Sequence, residues 1–329
     1  MSYKFKCYTD GNREYFQWEC ANRLFHTKTP IKKDFEFTQS LLDLIDMDFN
    51  NRFDYFNAMG KDVQRLCVKQ DEDGNVRFLK KCFDELAEEH IFFQFLRLDW
   101  FERLTKYLEN DYENASILMP YKAITHIPMN FITWQNQIKL LFDKALDGTV
   151  KRTKAIQNSV AILYGNSRKG TLDLFDFKPL STSFERVNGQ TMAEVYYPRN
   201  MGDILDFILR EIIKGEISFK VCKSCGKYFP AIAHGNTEFC NRLFQDTGKT
   251  CRDIGSLAKW REKVAASPAI LLYNKHYKTR FSRIRAGKIT REVFQEWAAL
   301  ARDYRDKVMD GEKTLEEFED WLKSGRWVE

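Results

Sequence analysis

Residues 219–254 read FKVCKSCGKYFPAIAHGNTEFCNRLFQDTGKTCRDI and hold four of the chain's eight cysteines, Cys222, Cys225, Cys240 and Cys251. The segment is too polar and too rich in turn residues to bury a core of its own, so something other than burial must hold it. A Cys-x2-Cys pair followed by Gly226 has the form of a metal knuckle. Two thiolates face one ion, and a glycine in the left-handed turn conformation lets backbone N–H groups reach the sulfurs. Cys240 and Cys251 complete a four-thiolate set, which is expected to hold a structural Zn2+ with no open position for water. His234, in an AHGNT turn, is the alternative fourth ligand, and four reduced, unliganded thiols are the remaining possibility. Cys251 opens a helix-like run, CRDIGSLAKWREKV, where the helix dipole favours a thiolate.

The pieces CKSCGKYF, NTEFCNR and GKTCRDIG, the basic, tyrosine-bearing helix that follows and the closing LEEFEDWLK together resemble a bacterial family known only as a conserved domain of unknown function. The resemblance covers residues 183–323. More loosely, the arrangement is similar to the CGNR-type zinc fingers, which place a helical domain before a C-terminal four-cysteine finger and are presumed to bind nucleic acid. Asn241 and Arg242 follow the third cysteine as in that type, but LFQDTGKT delays the fourth. The resemblance implies an architecture rather than an activity.

At 329 residues the chain is long enough for a sizeable core in two or three units. It has 27 Phe and 14 Tyr, which argues against disorder. No run of eighteen apolar residues and no signal-peptide core is present, so a soluble, cytoplasmic protein with no membrane partner is expected. In a reducing compartment Cys7, Cys20, Cys67 and Cys82 are expected to be separate thiols inside the fold.

The fold class expected is mainly α with small β elements: a helical N-terminal domain (1–175) opening with a β-hairpin around residues 9–12, a hairpin-plus-helix platform (176–218), a zinc-ribbon-like module (219–256) and a helical tail (257–329). Helical periodicity starts after Thr38, whose hydroxyl is the expected cap, is interrupted at Gly60, and runs as one amphipathic helix from Leu79 to Leu108 with His90 as a packing residue. DEDGN at 71–75 lacks the spacing of a calcium loop and reads as a turn. GNSRKGT at 165–171 lacks the lysine directly after its second glycine that a phosphate loop requires. Asn188-Gly189 predicts a second hairpin, followed by a helix from Met201 to Lys214 that ends at Gly215. Ser267-Pro268, Thr290 and the Thr314/Glu317 capping box start the last three helices.

Charge is segregated along the tail. Residues 256–291 carry ten bases, Lys259, Arg261, Lys263, Lys275, Lys278, Arg280, Arg283, Arg285, Lys288 and Arg291, against the single acid Glu262. Residues 292–329 carry eleven acids against six bases. Clustered cations interleaved with Tyr and Trp suit phosphate contact and base stacking, so nucleic acid, DNA or RNA, is the expected partner. The binding residues expected are Lys275, Lys278, Arg280, Arg283, Arg285 and Lys288, with Arg242 beside the finger. The resulting expectation is a nucleic-acid-binding zinc-finger protein of regulatory type or of bacterial conflict with mobile DNA. The competing reading of the same charges is a solvated face neutralised by the acidic tail folding back. Two other functions compete. One is a protein-binding adaptor that presents Phe92, Phe93 and Phe95; the other is a metal-dependent nuclease built from scattered carboxylates. The motifs of zinc deaminases, zinc peptidases, serine hydrolases and dinucleotide-binding enzymes are absent, and no catalytic residue is assigned.

Overall fold

A computed structural model describes residues 2–109, 115–149, 155–167, 172–187, 189, 191–231 and 237–324; of residues 260 and 263–266 only the backbone is described. The chain is mainly helical with small antiparallel sheets. It divides into two compact units, Met1–Val221 with Lys227–Thr237, and Cys222–Gly226 with Glu238–Glu329. Among the described residues no helix is long and apolar enough to cross a membrane.

The first unit opens with the expected hairpin, β1 (Tyr3–Thr9) and β2 (Arg13–Cys20), in register from Tyr3 opposite Cys20 to Thr9 opposite Glu14. After Pro30 the chain returns to the sheet, where β3 (Ile31–Glu36) adds an edge strand to β2. Alternation along β1 and β2 sends Phe5, Cys7, Phe16 and Trp18 into the main core and leaves Tyr8 and Tyr15 stacked on the opposite face, their centroids 4.8 Å apart.

Five helices follow: α1 (Gln39–Asp46), α2 (Phe53–Cys67), α3 (Glu72–Glu89), α4 (Ile91–Leu108) and α5 (Ala115–Leu118). Four expectations need correction here. Residues 72–75 of the DEDGN stretch are not a turn but the first turn of α3, with Asp71 at the position before it. Thr38 stands before α1 with φ +79° and its hydroxyl makes no cap; the Glu14 carboxylate, reaching over from β2, accepts the Ser40 N–H at 2.6 Å instead. Gly60 does not interrupt α2 but lies inside it, where a Cβ would come within 2.4 Å of the Thr125 methyl group. The single helix expected from Leu79 to Leu108 is two, α3 and α4, broken at His90, whose backbone is extended (φ −153°, ψ 142°). α4 buries Ile91, Phe92, Phe93, Phe95, Leu98, Trp100, Phe101 and Leu104, faces all round the helix, so it is the central rod of the unit. Phe92, Phe93 and Phe95 are therefore core and present nothing to a partner.

Three more helices, α6 (Tyr121–Thr125), α7 (Ile127–Ala145) and α8 (Ile156–Ser167), lead to β4 (Thr182–Val187) and β5 (Thr191–Tyr196). β4 and β5 form the expected hairpin; Gly189 has φ +78°, while Asn188 lies outside the described residues. β5 pairs with β1 through Tyr196 and Cys7, giving one sheet of order β3-β2-β1-β5-β4. Helix α9 (Met201–Lys214) has the expected bounds and buries Ile204, Leu205, Phe207, Ile208 and Ile212. Its N-cap is Asn200, which accepts from the Asp203 N–H at 3.0 Å. Cys7, Cys20 and Cys82 are buried, Cys67 is half-buried, and all eight cysteines are free thiols.

Candidate metal centre and basic helix

The cysteine-bearing segment begins on a short hairpin, β6 (Phe219–Val221) with β7 (Tyr228–Pro230). Its stem is fixed by two side chains of α7, distant in sequence. Phe219 stacks on Phe142 of α7 at 3.9 Å between centroids, and the Tyr228 hydroxyl donates to Asp143 at 2.7 Å. The turn between the strands is Cys222–Gly226. Gly226 has φ +72° with open space around it, and its N–H bonds the Cys222 carbonyl at 2.9 Å. A left-handed residue at this point folds Cys225 back toward Cys222, as a knuckle requires.

The ten residues between Cys240 and Cys251 turn the chain back on itself instead of lengthening the loop. Leu243 and Thr250 form an antiparallel bridge, Phe244 N–H bonds the Lys249 carbonyl at 2.8 Å, and Gly248 takes φ +65°. Cys251 N–H then bonds the Arg242 carbonyl at 2.9 Å, and Arg252 N–H bonds the Cys240 carbonyl at 3.0 Å, which sets the third and fourth cysteines side by side. Cys251 begins α10 (Cys251–Ala266). Thr250 and Asp253 cap this helix reciprocally, the Asp253 N–H donating to the Thr250 hydroxyl at 3.2 Å and the Thr250 N–H to the Asp253 carboxylate at 3.0 Å.

All four Sγ atoms fall within 4.8 Å of one another. Cys225 and Cys240 are 3.7 Å apart. A tetrahedron with metal–sulfur bonds of about 2.3 Å has edges of about 3.8 Å, so the Cys225–Cys240 pair already matches an edge and the other sulfurs need to close by no more than about 1 Å to hold a four-coordinate ion. Cys222, Cys240 and Cys251 are buried and Cys225 is half-buried. Burial opposes ionisation of Cys222, but donation to its sulfur from the backbone N–H groups of Cys240, Cys225 and Ser224 outweighs it and holds the thiol at about 7. Burial pushes the Cys240 and Cys251 thiols up, Cys251 further still through the neighbouring thiols. The helix start thus does not by itself make Cys251 a thiolate; a cation among the four would. His234 lies outside the described residues. Among the described residues these four thiols are the one group of three or more His, Cys, Asp or Glu side chains close enough to share an ion, and no cluster of carboxylates joins them.

In the same unit three more helices follow, α11 (Pro268–Arg285), α12 (Arg291–Met309) and α13 (Leu315–Ser324). Their caps are those read from the sequence. Ser267 accepts from Ile270 N–H, Thr290 from Val293 N–H, and Thr314 and Glu317 exchange bonds at 2.9 and 3.2 Å. Tyr273, Phe294, Trp297, Ala301 and Phe318 make the shared core. Of the expected buried stripe on α11, Ile270 and Tyr273 are buried, Tyr277 and Ile284 are half-buried, and Phe281 stays 43% exposed.

Lys275, Lys278, Arg283, Arg285 and Lys288 are exposed, as the sequence predicts. Arg280 is a correction. It is buried, with its guanidinium 4.7 Å from the Trp297 ring and donating to the Leu322 carbonyl at 3.4 Å. Its position on the helix turns it into the three-helix core, where it is a structural cation. Arg242 is half-buried beside the cysteines.

The fold and the site define a mainly helical protein whose second unit carries a four-cysteine cluster able to hold a metal ion. A family model described as a family of unknown function (DUF6076) matches residues 180–326, less than half of the chain and close to the span of the resemblance read from the motifs. No zinc-finger family is identified. No curated protein matches the chain, and no solved structure does.

Proposed function

We propose that the protein binds nucleic acid through α11, with a structural Zn2+ on Cys222, Cys225, Cys240 and Cys251 fixing the fold of the unit that carries this helix. The observation that carries the reading is the state of the cations. Lys278, Arg283, Arg285 and Lys288 are exposed and, among the described residues, make no ion pair. Among the described residues no tail carboxylate forms an ion pair with them. Asp303 pairs with Lys307, Asp306 with Arg305, Glu317 with Lys313 and Glu319 with Lys323, each within its own helix or its flank. Glu319 of the tail lies near enough to Lys275 and His276 on α11 to feel their charge.

Zinc supports this reading as the ion because a complete thiolate set with no open position suits a closed structural site. When bound, the ion supplies the charge that keeps four buried sulfurs ionised, and its binding free energy becomes folding free energy of the module.

Fluorescence anisotropy of the zinc-loaded full chain, against duplex DNA, single-stranded DNA and RNA over a salt series, tests the proposal. The expected result is affinity that falls steeply with salt. Each of Lys278→Gln, Arg283→Gln, Arg285→Gln and Lys288→Gln should weaken binding and reduce the salt slope by about one where the residue meets a phosphate. No binding at low salt to any of the three would overturn the reading. Metal content of the purified protein, and its loss in Cys225→Ser, tests the zinc assignment separately.

A further inference from the structure

Between α11 and α12 lies an open groove of about 670 Å³, within the range of volumes that hold small molecules and single bases. Its floor is aromatic. Tyr277 and Phe281 lie parallel, with centroids 6.3 Å apart and planes within 5°, and both meet Phe294 edge to face at 5.0 and 5.6 Å. In a core helix the third of these would be covered by the first two and all three by a neighbour. Here Phe281, one turn beyond Tyr277, is left 43% exposed.

The rim is cationic and amide-bearing. None of the ten lining residues is acidic; Arg291 and Arg302 stand on the α12 side, and Asn274 and Gln295 are the amide-bearing residues of the lining. Lys278 and Arg285 follow Asn274 at four- and seven-residue steps along α11, on the side next to the groove. The Arg285 guanidinium is 5.7 Å from the Phe281 ring centroid. Of the acids of α12, Glu292, Glu296 and Asp303 recur on a different helical stripe, and Asp306, one turn beyond Arg302, is paired with Arg305.

An occupant must therefore present a flat π-face to the aromatics, donors and acceptors to the two amides, and negative charge to the arginines. An apolar helix from another protein satisfies the first of these poorly and the last not at all. An unpaired base with its own phosphates satisfies all three.

We propose that this groove takes an unpaired base of a single-stranded nucleic acid, stacked on Phe281 and Tyr277, with Arg291 and Arg302 on the flanking phosphates. The inference rests on the nucleic-acid reading above and deepens it by choosing single strand over duplex, because a base inside a duplex offers no free face to the groove.

The test uses the zinc-loaded full chain with oligodeoxyadenylate and oligoriboadenylate carrying a central 2-aminopurine, and a duplex of equal length. Seating of the base should quench 2-aminopurine fluorescence. Phe281→Ala should weaken single-strand binding by about 5- to 100-fold and abolish the quench, with duplex affinity unchanged. Phe281→Leu, which keeps an apolar side chain over Phe294 and removes the stacking face, should lose the quench while melting as the unmodified protein does. The DNA and RNA arms decide which strand the groove prefers. If single strand and duplex bind alike and neither Phe281 variant changes the quench, the groove inference fails while the basic-helix reading stands. If no nucleic acid binds at all, the functional reading itself fails, and the groove inference with it.

Discussion

Glu14 and His90 hold the two backbone groups of the same residue from opposite sides: the Ser40 N–H donates to Glu14 Oε1 at 2.6 Å, and the Ser40 carbonyl accepts from His90 Nε2 at 2.9 Å. A carbonyl only accepts, so Nε2 carries the proton. Nδ1 is then free to accept the Phe92 N–H at 3.2 Å, which makes His90 the N-cap of α4. One neutral tautomer satisfies both bonds. Protonation would give Nδ1 a hydrogen and break the cap.

A stability cost in acid follows. Burial lowers the pKa of His90 from its ordinary 6.5 to about 4, with only partial opposition from the Ser40 bond. A base whose folded pKa is depressed contributes stability that is full above 6.5 and is lost as pH falls toward 4. The loss reaches about 3 kcal/mol at the low end. Denaturant unfolding of the wild type and of His90→Asn, where asparagine retains a capping oxygen, should show the acid loss in the wild type and not in the variant.

Glu14 works in the opposite direction. Burial raises its carboxyl from 4.5 to about 7, although the Ser40 and Thr38 backbones lower it in part. A raised folded pKa gives stability that is full below 4.5 and declines as pH climbs to about 7, again by about 3 kcal/mol. Glu14→Gln keeps an acceptor for the Ser40 N–H and removes the titration. The variant should gain on the wild type as pH rises through that window, and its own stability should then rise between pH 4 and 6.5 with the His90 profile unmasked. Unfolding midpoints for both single variants and the double variant over pH 4–8 would check the two opposite slopes together.

Arg280 and Arg285 are both on α11, and their substitutions should separate stability from binding. Arg280 stacks on Trp297 inside the core, so Arg280→Gln should destabilise the second unit by about 1–3 kcal/mol. Arg285→Gln touches an exposed side chain, so its melting temperature should stay unchanged while its affinity for nucleic acid falls. Melting and anisotropy measured on both variants give the answer. Equal losses of stability from the two would remove the distinction.

Much of this was legible from residue types acting locally. Ser267, Thr290 and Thr314 mark helix starts, Gly226 marks the knuckle turn, and the Cys-x2-Cys spacing marks the first two of the four thiols that the fold gathers. What was not legible depended on distant partners. β3 is an edge strand whose sequence, IKKDFE, is almost wholly exposed, so it lacks the alternation that announces a half-buried strand. The break at His90 carries no glycine or proline; it exists because Ser40, fifty residues earlier, offers the carbonyl that the ring needs. Glu14 displaced Thr38 as the cap of α1 by the same long reach. Arg280 looked like its neighbouring cations until Trp297, on another helix, took its guanidinium. The hairpin between Cys240 and Cys251 was hidden as a mere excess of spacing, although Gly248 and the Thr-x-x-Asp pattern at Thr250 and Asp253 were signals that could have found it.

The ring of Phe239 lies on Gly255, one turn into α10, and a Cβ built there would stand 2.3 Å from two of its carbons. Alanine in place of a helical glycine ordinarily stabilises by about 1 kcal/mol through backbone entropy. Here the ring belongs to the residue directly before Cys240, so its displacement by a methyl group is expected to disturb that sulfur's place beside its three partners. Overpacking of this kind costs about 1–3 kcal/mol, so the contact decides the sign. Gly255→Ala should lower the melting temperature of the metal-loaded protein and release its metal to a colorimetric chelator faster than the wild type does. Phe239→Leu combined with Gly255→Ala should restore much of the loss, because the smaller side chain vacates the space the methyl needs. A Gly255→Ala variant that melts higher and holds its metal as well as the wild type would show that the ring does not position Cys240.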